Sequence, residues 1–481
     1  MLSVFSRAAR HGRSTARFAA AALVSGLVAA GAISGAGPAR AVDGVDGAKE
    51  QGGASAVISG LDTHGTAVVH EDGQDETVAA GLFRMTVDGG GTLQTYCIDI
   101  HNPTQTDAKY QETSWSGTSL SGNKDAGKIR WILQNSYPQV NDLAALARKA
   151  HTKTLTEQDA AAGTQVAIWR YSDGADVDAV SPAAEKLADY LQRGARDLTE
   201  PRASLALSPQ AVSGHPGERV GPVTVRTNAN GVSVMPPAQA AAEGVRVVDK
   251  NGEPVTSAAD GSRLYFDIPE DAEPGSAALT VQASTTVPVG RAFTSDARSQ
   301  TQILAGSSES TVSASATANW ADEGPVPALS AQKNCAKGGV DITVANKGDE
   351  PFTFRLMDVR HTVPAETRQT VTIPLQEDQA YDFTITGPNG FEKRLSGVLD
   401  CRTASATDTD DEGLTTQTAP RPSPASVGGT GTAGTDLAET GASNTTPVIA
   451  GAAIVLVVIG GAALILVRRK KPPVETPSDG E

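Results

Sequence analysis

Short runs in which apolar and polar residues alternate occur through the middle of this chain, and they predict mostly β structure. In the segment "AGLFRMTVDGGGTLQTYCIDI", residues 80–100, two such runs flank a glycine turn. The segment therefore predicts two strands, and Cys97 falls within the second of them.

After residue 122 the pattern changes to the longer period of helices. Four segments have this period: "AGKIRWILQNSYP", "NDLAALARKAH", "TEQDAAAGTQVAIWRYSD" and "SPAAEKLADYLQRGARDL". Residues typical of helix starts open the last three, namely Asn141 or Asp142, Thr156 with Asp159, and Ser181 with Pro182. Residues 54–202 are thus predicted to form an α+β domain in which β strands carry a helical subdomain.

Two all-β modules are predicted to follow, at residues 203–322 and 325–402. Each contains short apolar runs separated by Gly, Pro, Asn and Asp turns, at the spacing of Ig-like sandwiches. Cys335 lies before the predicted strands of the second module and Cys401 after them, so a disulfide would join its two ends. A zinc site is the alternative for these cysteines, but a CxxC or histidine spacing is missing.

Composition and charge narrow the class of protein. Aromatic residues make up 4% of the chain and glycines number 49, which indicates modest cores of small residues and long turns. A formal net charge of -15 and a pI near 5.0 disfavour nucleic acid and anionic membranes as partners. The composition fits an acidic extracellular protein.

The N-terminus has the layout of a secretory signal peptide at residues 1–41. Four arginines precede an apolar run at residues 18–33, and small residues frame a cleavage point after Ala41. Because no adjacent arginine pair precedes the run, general secretion is favoured over the twin-arginine route.

The C-terminus has three parts in a fixed order. Residues 403–436 are rich in Thr, Ser, Gly and Pro and predict a disordered linker that spans the wall. "LAETG" at residues 437–441 is followed by an apolar stretch at 447–467, long enough for a transmembrane helix, and by a basic cytoplasmic tail at 468–481. This arrangement resembles a sortase cell-wall sorting signal of the LAxTG form used in actinobacteria. The resemblance implies cleavage between Thr440 and Gly441, attachment to peptidoglycan, and a membrane anchor that is only transient.

Cys97 is left without a partner if Cys335 and Cys401 pair. The motifs "YCID" at 96–99, "LQNSY" at 133–137 and "TQVAIW" at 164–169 follow one another in the first domain. Taken with the surface anchor, they resemble the thioester domains, also called TQxA domains, of Gram-positive surface adhesins.

The resemblance implies a thioester between Cys97 and Gln165. It also implies supporting roles for Gln134, which would hydrogen-bond near the bond, and for the motif residues Tyr96, Thr164 and Trp169, of which the aromatics would exclude water. An amine, such as a lysine on a target protein, would attack the thioester and form an isopeptide link. The protein would then be a covalent adhesin used once, not a turnover enzyme, and it would need no cofactor and no metal.

Two other classes of function remain open from the residues. One is a cysteine peptidase in which His101 or His151 acts as base for Cys97. The cysteine would lie within a strand, however, without the helix N-terminus that lowers a thiol pKa. The other class is an anchored scaffold that binds without covalent chemistry and needs no unpaired thiol.

The sorting signal generates a testable prediction. Wall extracts should contain a chain that begins near residue 42 and ends at Thr440, because the sortase discards everything after that residue. Deletion of residues 437–441 should divert the protein to the membrane or the medium, as measured by fractionation and mass spectrometry. Wall-bound protein that still carries residues 448–467 would contradict the sortase interpretation.

Overall fold

The computed structural model describes residues 52–236, 244–297, 299–357, 359–388 and 391–402. The predicted signal peptide, linker, sorting motif, apolar span and tail lie outside these residues. Within the described part of the chain, no helix is long and apolar enough to cross a membrane.

The strands and helices of the first part of the chain follow the predicted order. The strands are β1 (Ser55–Glu71), β2 (Gln74–Val87), β3 (Thr92–Cys97), β4 (Lys109–Thr113) and β5 (Val177–Ala179). The helices are α1 (Ala126–Asn135), α2 (Leu143–Lys149), α3 (Glu157–Ser172) and α4 (Pro182–Gly194). The two predicted strands around the glycine turn and the four predicted helices are therefore confirmed.

Local signals explain where the helices begin. Thr156 and Asp159 form a reciprocal capping box at the start of α3, and Asp142 accepts a hydrogen bond from the backbone N–H of Ala145 at the start of α2. Pro182 opens α4, but the Ser181 side chain donates to Asp159 Oδ1 and does not cap its own helix. Ser181 therefore links the starts of α3 and α4.

The middle of the chain supplies a two-sheet sandwich and two additional strands. Its strands are β6 (Leu205–Ser208), β7 (Ala211–Gly214), β8 (Arg219–Thr227), β9 (Val232–Met235), β10 (Arg246–Val248), β11 (Ser257–Ala258), β12 (Arg263–Asp267), β13 (Gly275–Thr286), β14 (Ala292–Ser295), β15 (Gln302–Ser307) and β16 (Glu309–Trp320). The sheets of the sandwich have the strand orders β10-β12-β8-β6 and β11-β9-β13-β16-β7.

Strands β14 and β15 belong to the sheet of the first domain, which corrects the predicted boundary at residue 202. The order of that sheet is β2-β3-β15-β14-β4-β1-β5, and β1 also pairs with β2, so six strands close into a ring. β15 lies beside β3, with Gln302 opposite Cys97, and β14 lies beside β4. Residues 203–322 are thus not a separate structural unit.

Burial of side chains agrees with this shared architecture. One continuous core contains the side chains of Ile58, Phe83 and Cys97 from the first sheet together with those of the sandwich. A second core lies between the helices and the opposite face of the first sheet and contains Tyr96 and Trp169. Because successive strand residues point to opposite faces, Tyr96 and Cys97 enter different cores.

The described residues of the last module form seven strands and include the predicted disulfide. They are β17 (Pro327–Asn334), β18 (Gly339–Asn346), β19 (Phe352–Leu356), β20 (Val359–Val363), β21 (Thr367–Pro374), β22 (Ala380–Thr386) and β23 (Glu392–Val398). Cys335 and Cys401 are bonded, with their Cα atoms 5.1 Å apart, which removes them as zinc ligands. The prediction that Cys335 precedes the first strand is wrong, because β17 ends just before it.

The position of β14 and β15 generates a prediction about the folding unit. A fragment of residues 54–202 lacks both strands, so β3 would become an open edge and Cys97 would lose its cover. We expect this fragment to aggregate or to melt without a cooperative transition, whereas residues 52–402 should fold. Gel filtration and thermal circular dichroism distinguish the two. A monomeric, cooperatively melting fragment would contradict the shared sheet.

Candidate functional site

The site forms where the end of β3 meets the buried side of α3. Helix α3 packs against β1, β2 and β3, and every residue from 160 to 169 is buried, because alanine and glycine allow close approach. Cys97 is the last residue of β3, and Gln165 lies in the second half of α3. Both residues have 0% exposed surface.

The Gln165 carboxamide makes two hydrogen bonds with the backbone of Cys97. Its Nε2 donates to the Cys97 carbonyl oxygen at 2.8 Å, and its Oε1 accepts from the Cys97 N–H at 3.0 Å. The next residue, Ile98, donates its N–H to Thr301 O beside β15, so these Cys97 groups point away from β15. The pairing of β2 with β3 ends at Thr95. At Cys97 the Gln165 carboxamide therefore makes the hydrogen bonds that a neighbouring strand would otherwise make.

The Cys97 thiol is free and buried. Its Sγ donates to Asp99 O at 3.0 Å and accepts from the Asp99 N–H at 3.2 Å, so a tight turn holds the sulfur. Burial raises the pKa of the thiol well above its usual value, and the charges of Asp99 and Asp173 raise it further. At neutral pH the sulfur therefore keeps its proton.

The two aromatic residues predicted to exclude water are both fully buried. The Tyr96 hydroxyl donates to the backbone oxygen of Tyr137 at 2.9 Å, and burial raises its pKa. The Trp169 indole Nε1 makes no hydrogen bond among the described residues, although it lies close enough to the Cys97 sulfur to lower the thiol pKa slightly. The indole N–H is thus a second donor near the sulfur, after the backbone N–H of Asp99.

Of the other two predicted supporting residues, the structure brings one to the site. The Thr164 hydroxyl is buried beside Gln165, donates to Ala160 O at 2.7 Å, and interacts with the Tyr96 phenol. Gln134 is exposed on α1 and hydrogen-bonds neither Cys97 nor Gln165. The predicted contact of Gln134 is therefore wrong, because α1 buries Ile132 and Leu133 and turns Gln134 toward solvent.

Two buried carboxyl groups complete the site, and neither was predicted as a functional residue. Asp99 accepts a hydrogen bond from Asn102 Nδ2 on Oδ2, whereas its Oδ1 is buried and has no partner among the described residues. Asp173, at the end of α3, accepts from the Ile100 N–H at 3.1 Å and from Ser172 Oγ at 2.5 Å. Two sequence features could have indicated them: Asp99 lies two residues after Cys97, and Asp173 is the C-cap of α3.

Burial controls the ionisation of both carboxyl groups. The pKa of Asp99 is raised well above its usual value, first by burial and then by the charges of Asp173 and Asp400. Burial raises the pKa of Asp173 to about 6, against the opposing hydrogen bonds from Ser172 and Ile100. The environment of Asp99 therefore favours its protonated form more strongly than that of an exposed aspartate.

Neither histidine of the peptidase alternative contacts the thiol. His101 Nδ1 lies 3.9 Å from Glu71 Oε2, and burial lowers the pKa of His101. His151 is exposed. Backbone atoms of Asp99 hydrogen-bond Cys97 Sγ, and among the described residues the site lacks the cysteine–histidine pair that a peptidase needs.

Three carboxylates of the last module are close enough to hold a cation. Oxygens of Glu377, Asp378 and Asp400 lie within 4.8 Å of one another. Glu377 Oε1 already accepts from the backbone N–H groups of Cys401 and Arg402, and Asp400 Oδ2 accepts from Thr301 Oγ1. Proximity alone does not make a metal site, and we assign no metal to this group.

Comparison with protein families agrees with this site. Residues 94–197 match the family model described as Thioester domain, and this segment includes Cys97, Gln165 and helices α1 to α4. Residues 326–398 match the model described as the C-terminal domain of bacterial phospholipase C. No curated protein sequence matches the chain.

Similar solved structures include three from TIE proteins of Gram-positive bacteria. The Bacillus anthracis TIE protein is 14% identical with a TM-score of 0.27, over 73% of this chain and 81% of that one. The thioester domain of the Enterococcus faecium TIE86 protein is 14% identical with a TM-score of 0.27, over 56% and 96%. That of the Staphylococcus aureus TIE protein is 12% identical with a TM-score of 0.17, over 56% and 99%. These structures carry no argument at such scores, and the likeness to a thioester domain rests on the family model over residues 94–197.

The buried Asp173 generates a prediction about stability and pH. The pKa of Asp173 rises from 3.8 to about 6 on folding, so the folded state binds more protons than the unfolded state in that window. The free energy of unfolding should therefore fall as pH rises from about 4 to about 6, by about 3 kcal/mol from this residue. Asp173→Asn cannot titrate and should remove that part of the pH dependence.

Urea unfolding at several pH values measures this effect. Asp107→Asn, on an exposed turn, is the control and should keep the wild-type dependence. An identical pH dependence in wild type and Asp173→Asn would show that Asp173 titrates normally.

Proposed function

We propose that this chain is a covalent adhesin whose Cys97 and Gln165 side chains condense to an internal thioester. The observation that carries the proposal is the pair of hydrogen bonds between the Gln165 carboxamide and the Cys97 backbone in a fully buried site. A buried glutamine costs free energy unless its amide is satisfied, and here the strand end that carries the thiol satisfies it. Holding the two reactants together in this way converts an otherwise very slow amide displacement into an intramolecular one.

The geometry also supplies electrostatic help to the first step. When Cys97 Sγ attacks Gln165 Cδ, negative charge develops on Oε1, which already accepts the Cys97 N–H at 3.0 Å. A backbone donor aimed at a developing oxyanion typically contributes about 10²- to 10³-fold in rate. The Cδ–Nε2 bond then breaks, ammonia leaves, and the thioester remains.

In the second step an amine, such as the side chain of a lysine on a target protein, attacks the thioester carbonyl. The Cδ–Sγ bond breaks, an isopeptide link to Gln165 forms, and Cys97 becomes a free thiol. Full burial of both residues slows the competing attack by water. Because the isopeptide does not dissociate, each molecule acts once and is not a turnover enzyme.

We further propose that the chain is exported and held on the cell wall. The support is the sequence of its two ends: a signal peptide at residues 1–41 and the order of linker, LAETG motif, apolar span and basic tail after residue 402. A sortase would join Thr440 to peptidoglycan, as in actinobacterial LAxTG proteins. The last β module and the linker would then act mainly as a stalk that presents the reactive domain.

Mass spectrometry of the full chain in amine-free buffer tests the covalent chemistry. Loss of ammonia should lower the mass by about 17 Da, a deficit that Cys97→Ala and Gln165→Ala should each abolish. Methylamine should erase the deficit, add its mass to the peptide with Gln165, and make Cys97 reactive to maleimide. Maleimide reports Cys97 alone, because the other two cysteines are bonded.

Gln158→Ala provides a matched control for Gln165→Ala. Gln158 lies on the same helix but is exposed, so its variant should keep the full deficit. A non-covalent scaffold would show the complete sequence mass in every variant. A peptidase would instead cleave a substrate, lose this activity in Cys97→Ala, and keep it in Gln165→Ala.

A further inference from the structure

The proposed reaction requires a proton to move inside a buried site. Cys97 Sγ must lose its proton to attack, and Gln165 Nε2 must gain one to leave as ammonia. Burial holds the thiol in its protonated form, so the thiolate is not available without an acceptor. The inference below rests on the proposed function and names the group that moves this proton.

Asp99 has the properties of that group. It is 1% exposed, and its backbone N–H and C=O both hydrogen-bond Cys97 Sγ, which places its residue directly against the sulfur. Asn102 fixes Oδ2, which leaves Oδ1 buried without a partner among the described residues. A buried carboxyl oxygen without a hydrogen bond is costly in a structural role, because its desolvation is not compensated.

We propose that Asp99 is the proton carrier of the reaction between Cys97 and Gln165, acting through its open Oδ1. During thioester formation, the proton on Asp99 passes to Nε2 of Gln165, and the proton of the Cys97 thiol passes to Asp99. The Sγ–Cδ bond forms, the Cδ–Nε2 bond breaks, ammonia leaves, and Asp99 ends as protonated as it began. During capture, a proton of the incoming amine reaches Asp99, and the proton of Asp99 goes to the departing Cys97 sulfur.

The groups around Asp99 keep it in the acid form that this role requires. Asp173 faces it from the end of α3, and Asp400 and Asp378 face it from the last module. These negative charges oppose ionisation of Asp99, and the buried Cys97 thiol and Tyr110 phenol add no positive charge. Of these carboxyl groups, Asp173 raises the pKa of Asp99 most. Asp173 is therefore a positioning residue that influences the protonation of Asp99.

The test follows the rate at which the thioester forms in the folded full chain. Treating wild-type protein that contains the thioester with concentrated ammonia reverses the reaction and restores Gln165 and the Cys97 thiol. After the ammonia is removed, the return of the deficit of about 17 Da gives the rate at each pH. The Asp99→Asn variant, purified without the thioester, is followed in the same way.

Asp99→Asn should form the thioester at least ~100-fold more slowly, the usual contribution of a positioned acid or base. Asp99→Glu should restore part of the rate. Asp107→Asn, which changes an exposed carboxyl outside the site, is the control and should form the thioester within a few-fold of the wild-type rate. Thermal melting and maleimide protection of Cys97 establish that each variant is folded.

The pH profile provides a readout that a purely structural role would not move. In wild type the rate should fall as pH rises through the pKa of Asp99, because the acid form is active. In Asp173→Asn this falling limb should shift to lower pH, because one negative charge beside Asp99 is gone. Wild-type rates in Asp99→Asn, or an unmoved limb in Asp173→Asn, would overturn the role of Asp99 while leaving the thioester intact. A wild type that never shows the deficit would instead remove the proposed function itself.

Discussion

The reciprocal pair of hydrogen bonds between the Gln165 carboxamide and the Cys97 backbone is the contact on which the rest of the site depends. It satisfies a polar side chain that would otherwise be buried at a cost of a few kcal/mol. It also places the amide beside the residue whose sulfur would attack it. One interaction thereby contributes to folding and positions the reacting groups. We therefore expect the thioester to form once the chain has folded.

The sheet explains why that contact can form. β2 stops pairing with β3 before Cys97, which leaves the Cys97 N–H and C=O free on that side, and α3 covers the gap with Gln165. On the other side, β15 holds the strand in register through Gln302 and Thr301. Cys97 is therefore held on both sides of β3. One side is β15, which lies some 200 residues further along the chain. This long-range pairing couples the site to the middle of the chain and, through Asp400 and Thr301, to the last module.

Local patterns in the sequence predicted the local elements and failed where a long-range contact decides. The capping residues around Thr156 and the helical period of "TQVAIW" predicted α3, and the motifs identified Cys97 and Gln165 as a candidate pair. β14 and β15 were missed because they are short strands whose partners lie far away in the sequence. Gln134 was misplaced because a motif match does not specify which face of α1 is buried. The importance of Asp99 depends on its unpartnered oxygen, a property that only the folded structure defines.

Peptide mapping under acidic, amine-free conditions tests the central claim most directly. Pepsin digestion of the untreated chain should yield one cross-linked species that contains both the Cys97 and the Gln165 peptides, lighter than their sum by about the mass of ammonia because condensation expels it. Fragmentation should place the link at these two side chains. Two separate peptides, one with a free Cys97 thiol and one with an unmodified Gln165 amide, would contradict the account.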